Sequence, residues 1–130
     1  MSGVYLDTSA LGRVLLGEPD SPAVLAALSE FEQRVASRLL RVELKRLALR
    51  HGVLDQADQL LSAVALVPLS AAVLDAAETV PPVSVATLDA IHLITAIRLA
   101  GEGVVETVMT YDSRLAEGAR HHGLGVLAPS

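Results

Sequence analysis

Cysteine is absent from the 130 residues, which excludes a disulfide framework, a thiolate zinc site and a cysteine nucleophile together. Any metal must then be held by oxygen or imidazole. Tryptophan is absent too, and two tyrosines with one phenylalanine leave almost no aromatic platform on which bases could stack. Long apolar runs are also missing. Although 52% of residues are hydrophobic, the longest stretch free of charge, His, Asn or Gln runs from Leu60 to Leu74, too short for a bilayer and interrupted by Pro68. The opening Met1-Ser2-Gly3-Val4-Tyr5-Leu6-Asp7 has no basic n-region and no long h-region, so no secretory signal is read. A cytoplasmic location without a membrane partner is expected. Neither a Walker-type phosphate loop nor a Gly-x-Ser-x-Gly elbow occurs.

Basic residues are scarce as well, ten against fifteen acids for a net charge of −5, which argues at first against nucleic acid. Their distribution changes that. Arg38, Arg41, Lys45, Arg46 and Arg50 fall in one stretch containing a single acid, Glu43, so a local basic surface is compatible with an acidic body. Its plainer explanation is a solvated helix face.

What is present is one domain's worth of chain, residues 1–130, long enough to bury about two thirds of its unfolded surface. Strand-length apolar runs alternate with segments of helical period, the pattern of an α/β fold with a mainly parallel sheet of four to five strands flanked by helices. A first strand is expected over Gly3–Leu6, followed by a helix from Asp7-Thr8-Ser9 to about Leu16. Ser21 is expected to cap the next helix, with Pro22 at its first position. Val35-Ala36 reads as a short strand, and Arg38 to His51 as a helix closed by a left-handed Gly52. Further helices are expected over Leu54–Ser62 and from Ser70 to about Thr79, with a strand around Leu66–Leu69 between them. Thr87 reads as the cap of a helix to Ala100, Val104–Tyr111 as a strand, Asp112–His122 as a helix, and Val126-Leu127 as a last strand.

Asp7 and Asp112 each directly follow an expected strand, and Asp89 lies in a helix's first turn. Ligands of open parallel sheets bind beyond the carboxyl ends of the strands, so the first two stand on the functional edge by topology. Each also fits a helix cap or a first-turn acid complementing the dipole, and Thr8, Ser9, Thr110 and Ser113 share that ambiguity. Glu43 falls between Leu39 and Leu47 on the core-facing arc of its helix. A carboxylate there must be paired, ligate a metal or stay neutral, and Arg46 three residues on offers an ordinary ion pair. Four converging carboxylates repel one another unless something positive sits among them. Magnesium or manganese, which take oxygen ligands and keep waters, suit such a set better than zinc. The four histidines have no metal-ligand spacing. His92, inside the run Ile91–Leu99, reads as a satisfied core or interface residue, and His121-His122 as dipole compensation.

Val4-Tyr5-Leu6-Asp7-Thr8-Ser9-Ala10-Leu11, Leu40-Arg41-Val42-Glu43-Leu44, Leu88-Asp89-Ala90-Ile91-His92-Leu93 and Met109-Thr110-Tyr111-Asp112-Ser113-Arg114-Leu115 resemble the four acidic blocks of PIN-domain nucleases. In order, spacing and length the chain looks like the VapC toxins of type II toxin–antitoxin systems, and the resemblance covers essentially all of it. It implies an endoribonuclease that hydrolyses RNA phosphodiesters with Mg²⁺ or Mn²⁺, usually as a homodimer, and a VapB-type antitoxin as partner. By that similarity Asp7, Glu43, Asp89 and Asp112 are the metal and catalytic carboxylates, with Thr8, Ser9 and Thr110 supporting them. Arg38, Arg41, Lys45 and Arg46 would serve RNA or antitoxin. Two rivals remain: a catalytically silent PIN-like binding module, and a haloacid-dehalogenase phosphatase, whose second aspartate Asp7-Thr8-Ser9 lacks.

Overall fold

The computed structural model describes residues 2–130. Its strand β1 (Gly3–Leu6) is buried at every position, and its side chains divide by the two-residue period of a pleated strand. Val4 and Leu6 enter one apolar layer and Tyr5 the other. That places β1 in the middle of a sheet covered on both faces. The five strands β1, β2 (Gln33–Ser37), β3 (Ala65–Val67), β4 (Thr107–Met109) and β5 (Gly125–Leu127) are all parallel and lie in the order β3-β2-β1-β4-β5. The strand order reverses at β1, between neighbours β2 and β4, which marks the crevice where such sheets bind ligands.

On one face lie α1 (Thr8–Leu15), α2 (Ser21–Ser29), α3 (Arg38–His51) and α4 (Leu54–Leu61), contributing Ala10, Leu11, Val24, Leu40, Leu44 and Ala57 to the first core. Leu40 and Leu44, one helical turn apart, are both fully buried, and removing such a side chain from water contributes about 1.5–3 kcal/mol. The other face is covered by α6 (Thr87–Gly101) and α7 (Ser113–His121) through Leu93, Ala96, Leu99, Leu115 and Ala119. Helix α5 (Ala71–Ala77) packs against α6. Among the described residues no helix is long and apolar enough to cross a membrane.

The expected α/β architecture is therefore present with five strands, and the differences are local. Asp20, not Ser21, occupies the N-cap of α2 and makes no capping bond, its carboxylate being turned to Arg13 at 3.3 Å. Ala86 rather than Thr87 precedes α6, which then runs through Gly101 to a cap at Glu102. The strand expected over Val104–Tyr111 shrinks to three residues, because Thr110 and Tyr111 already turn toward the site. The strand expected around Leu66–Leu69 begins one residue earlier and stops before Pro68, which has no amide hydrogen for a ladder. Gly52 adopts φ 68°, the left-handed cap expected of it.

Candidate active site

At the carboxyl edge of the central strands, the pairing of Leu6 with Met109 sets Asp7 beside Thr110. The Thr110 hydroxyl donates to Asp7 Oδ2 at 2.6 Å and accepts the Asp112 amide at 3.0 Å. Ser9 performs the matching task from α1: its hydroxyl donates to Asp7 Oδ1 at 2.6 Å and accepts the Tyr111 amide at 2.8 Å. Two small hydroxyls thus stitch the ends of β1 and β4 through one carboxylate. Asp7, 3% exposed, also caps α1 by accepting the Ser9 and Ala10 amides. Asp112 caps α7 through Oδ1, which takes the Arg114 and Leu115 amides at 2.9 Å each. The capping and site readings of these two aspartates are compatible, since a cap fixes where the carboxylate stands.

Asp89 caps nothing. It stands in the first turn of α6, where burial and the nearby charges of Asp112 and Asp7 push its carboxyl up to about 6, with Glu43 adding to the effect and His92 opposing it. The four sequence-expected acids therefore share one electrostatic neighbourhood. They do not touch: among the described residues no three His, Asp or Glu side chains are gathered closely enough to grip a metal ion by themselves.

Glu43 projects from α3 with its side chain 24% exposed, and its partner is not Arg46. Oε1 accepts the Thr8 hydroxyl at 2.6 Å and lies 2.8 Å from His92 Nε2. Burial pushes this carboxyl upward, but the hydrogen bonds from His92 and Thr8 outweigh it and hold the group below the usual glutamate range. His92 is 2% exposed, and its other ring nitrogen, Nδ1, lies 2.7 Å from the hydroxyl of fully buried Tyr5. Burial drives the Tyr5 hydroxyl far upward, so it stays protonated.

His92 is the satisfied core residue expected of it, whereas its link to Glu43 and the part of Tyr5 were not foreseen. A signal existed: a histidine in an apolar run and a glutamate on a core-facing arc are two buried polar groups, each needing a partner.

Of the basic residues, Lys45 is paired with Asp58 of α4. Arg46 and Arg50 line a groove with Thr8, Ser9, Val42, Leu88 and one of the four acids, Glu43. Arg38 is exposed and Arg41 half-buried on the same helix.

The PIN domain profile matches residues 4–121. The chain belongs to the PIN-domain family. Within it, this PIN domain falls among the VapC proteins: it is 36% identical over 132 residues to Ribonuclease VapC46 of Mycobacterium tuberculosis, spanning 100% of both chains. It is 35% identical to Ribonuclease VapC47 of the same species, over 97% of this chain and 96% of that one. The fold is shared with a toxin–antitoxin complex from Klebsiella pneumoniae at a TM-score of 0.72 and 19% identity, over 98% of each chain.

The donor set of the PIN domain fits a hard dication that retains part of its water shell. Oxygen is the donor type offered, and the charge crowding at Asp89 is the kind a cation relieves. Magnesium is commonly held by one or two carboxylates, with waters and substrate phosphate completing the shell, so three touching side chains are not required.

Proposed function

We propose that this PIN domain is a Mg²⁺- or Mn²⁺-dependent endoribonuclease, the toxin of a type II toxin–antitoxin pair. The observation that carries the reading is geometric: β1 and β4 end side by side with Asp7 and Asp112 just beyond them, and burial together with those two charges raises the Asp89 carboxyl nearby. Asp7, Asp89 and Asp112 would hold the ion, with Glu43 completing the set as a ligand or through a bound water. When bound, the ion supplies a Lewis acid for the phosphoryl oxygen and lowers the pKa of water. Glu43 has both of its hydrogen bonds on Oε1, leaving Oε2 to accept from a water and orient its oxygen toward phosphorus. Ser9 and Thr110 keep Asp7 from swinging, and Thr8 does the same for Glu43.

RNA would enter by the groove of Arg46, Arg50 and Leu88, where two guanidiniums stand over phosphates and no aromatic ring reads bases. A VapB-type antitoxin would inhibit by covering the same groove, and assembly as a homodimer in the cytoplasm follows the VapC resemblance. The competing reading, a silent binding module, is favoured by one observation: Asp7 and Asp112 are both satisfied as helix caps.

Incubating the purified protein with structured RNA and Mg²⁺ separates the two. Cleavage that vanishes on chelation and in folded Asp7→Asn and Asp89→Asn variants is expected; metal-independent or absent cleavage by wild type overturns the nuclease reading.

A further inference from the structure

We infer that Tyr5 and His92 are positioning residues that aim the Glu43 carboxylate through a buried hydrogen-bonded chain, Tyr5 hydroxyl to His92 to Glu43. The inference rests on the nuclease reading for its effect on cleavage, but its geometry stands apart from it. Glu43 is an ionised carboxylate with no hydrogen to give, so the 2.8 Å contact requires the proton on His92 Nε2. Tyr5 has one hydrogen, and its oxygen already accepts the Ser37 amide at 3.2 Å. In a neutral ring with its proton on Nε2, Nδ1 carries a lone pair, and it accepts that hydrogen along the 2.7 Å contact. Thr95, the other hydroxyl beside Tyr5, donates to the Ile91 carbonyl at 2.7 Å. Each ring nitrogen has one partner, and the imidazole cannot rotate without breaking both bonds.

The chain joins four elements. Tyr5 comes from β1, the anchoring amide from the end of β2, His92 from α6 and Glu43 from α3. With Thr8 of α1 on the same Oε1, the carboxylate is gripped at one oxygen from two directions, which fixes the outlook of Oε2. Partners one bond removed from a metal ligand typically change metal affinity or activity by about 10- to 100-fold when removed.

Three variants and one spectroscopic measurement decide the matter. His92→Leu removes donor and acceptor, His92→Gln keeps an amide donor for Glu43 and a carbonyl acceptor for Tyr5, and Tyr5→Phe removes only the outer anchor. Mn²⁺ affinity of the metal-free protein and the kcat and KM of RNA cleavage are measured for each. Nitrogen-15 NMR of the histidines follows the Nε2 proton. The expectation is a loss of about 10- to 100-fold in Mn²⁺ affinity and kcat for His92→Leu with KM nearly unchanged, and recovery of most of it by His92→Gln. Wild type should show a slowly exchanging Nε2–H on His92, exchanging faster in Tyr5→Phe. A folded His92→Leu with wild-type affinity and kcat, or no protected Nε2–H, overturns the inference. Should His92→Leu fail to fold, unchanged kcat and unchanged Nε2–H exchange in Tyr5→Phe overturn it equally. If wild type neither binds Mn²⁺ nor cuts RNA, the nuclease reading falls, and the Nε2–H measurement still upholds or overturns the chain by itself.

Discussion

Partial burial, with other acids close by, pushes the Asp89 carboxyl of this PIN domain up to about 6. Its folded state binds the proton more tightly than the unfolded chain, whose aspartates titrate near 3.8. Asp89 therefore contributes a loss of stability to the metal-free protein as pH rises from about 4 to about 6, because over that range the unfolded chain has released a proton that the folded state still holds. Asp89→Asn should flatten that slope in thermal melts and stabilise the metal-free protein at pH 7.5 by about 1 kcal/mol, a figure reduced for the solvent screening of a half-exposed group. The same substitution should lower RNA cleavage by more than about 100-fold, beyond what an outer-sphere partner costs. A site residue whose removal steadies the fold while ending the chemistry is there for the chemistry. Thr110 should behave differently. Thr110→Val strips a donor from Asp7 Oδ2 and an acceptor from the Asp112 amide, so both stability, by about 1–3 kcal/mol, and cleavage should fall together. Urea unfolding and a cleavage assay on one preparation would measure both.

Among the elements, β1 and β4 set the site, and Gly3 at the start of β1 lies against the segment that leads into β4. A Cβ there would stand 1.8 Å from the Val104 carbonyl oxygen, so Gly3→Ala must push the start of β1 away from the segment leading into β4. A cost of about 3 kcal/mol is expected from such overpacking, read as a lowered urea midpoint with little change in slope. Much of this level was legible in the residues. The helix over Arg38–His51, its Gly52 cap and the capping aspartates carry local signals strong enough to survive tertiary packing. The ends of β3 and β4 were not, since a three-residue strand is defined by its neighbour's ladder rather than by its own composition. The caps of α2 and α6 slipped by one residue for a related reason: Asp20 is drawn to Arg13, and Ala86 takes the cap position by backbone geometry alone. Four acids were identifiable by their position after strands and on helix faces, whereas the bond from His92 to Glu43 joins residues 49 apart and belongs to packing.

For the whole molecule, the contrast between a net charge of −5 and a groove bearing Arg46 and Arg50 would govern RNA binding under the proposed function. With about two phosphates neutralised on a single strand, the logarithm of affinity should fall with the logarithm of salt at a slope of about −1.4, far shallower than for a basic nucleic-acid-binding domain. Fluorescence anisotropy of a labelled, non-cleavable RNA across a salt series checks this, and a slope steeper than about −5 would mean that a larger basic surface is engaged.

The bond from Thr110 to Asp7 spans 103 positions of the chain. Asp7 and Asp112 are at least as far apart in the chain, and the strands that carry them lie side by side only when both exist. Under the proposed function, a chain cut short before β4 carries Asp7 without Thr110 and Asp112, so it folds no complete site and has no means to cut RNA.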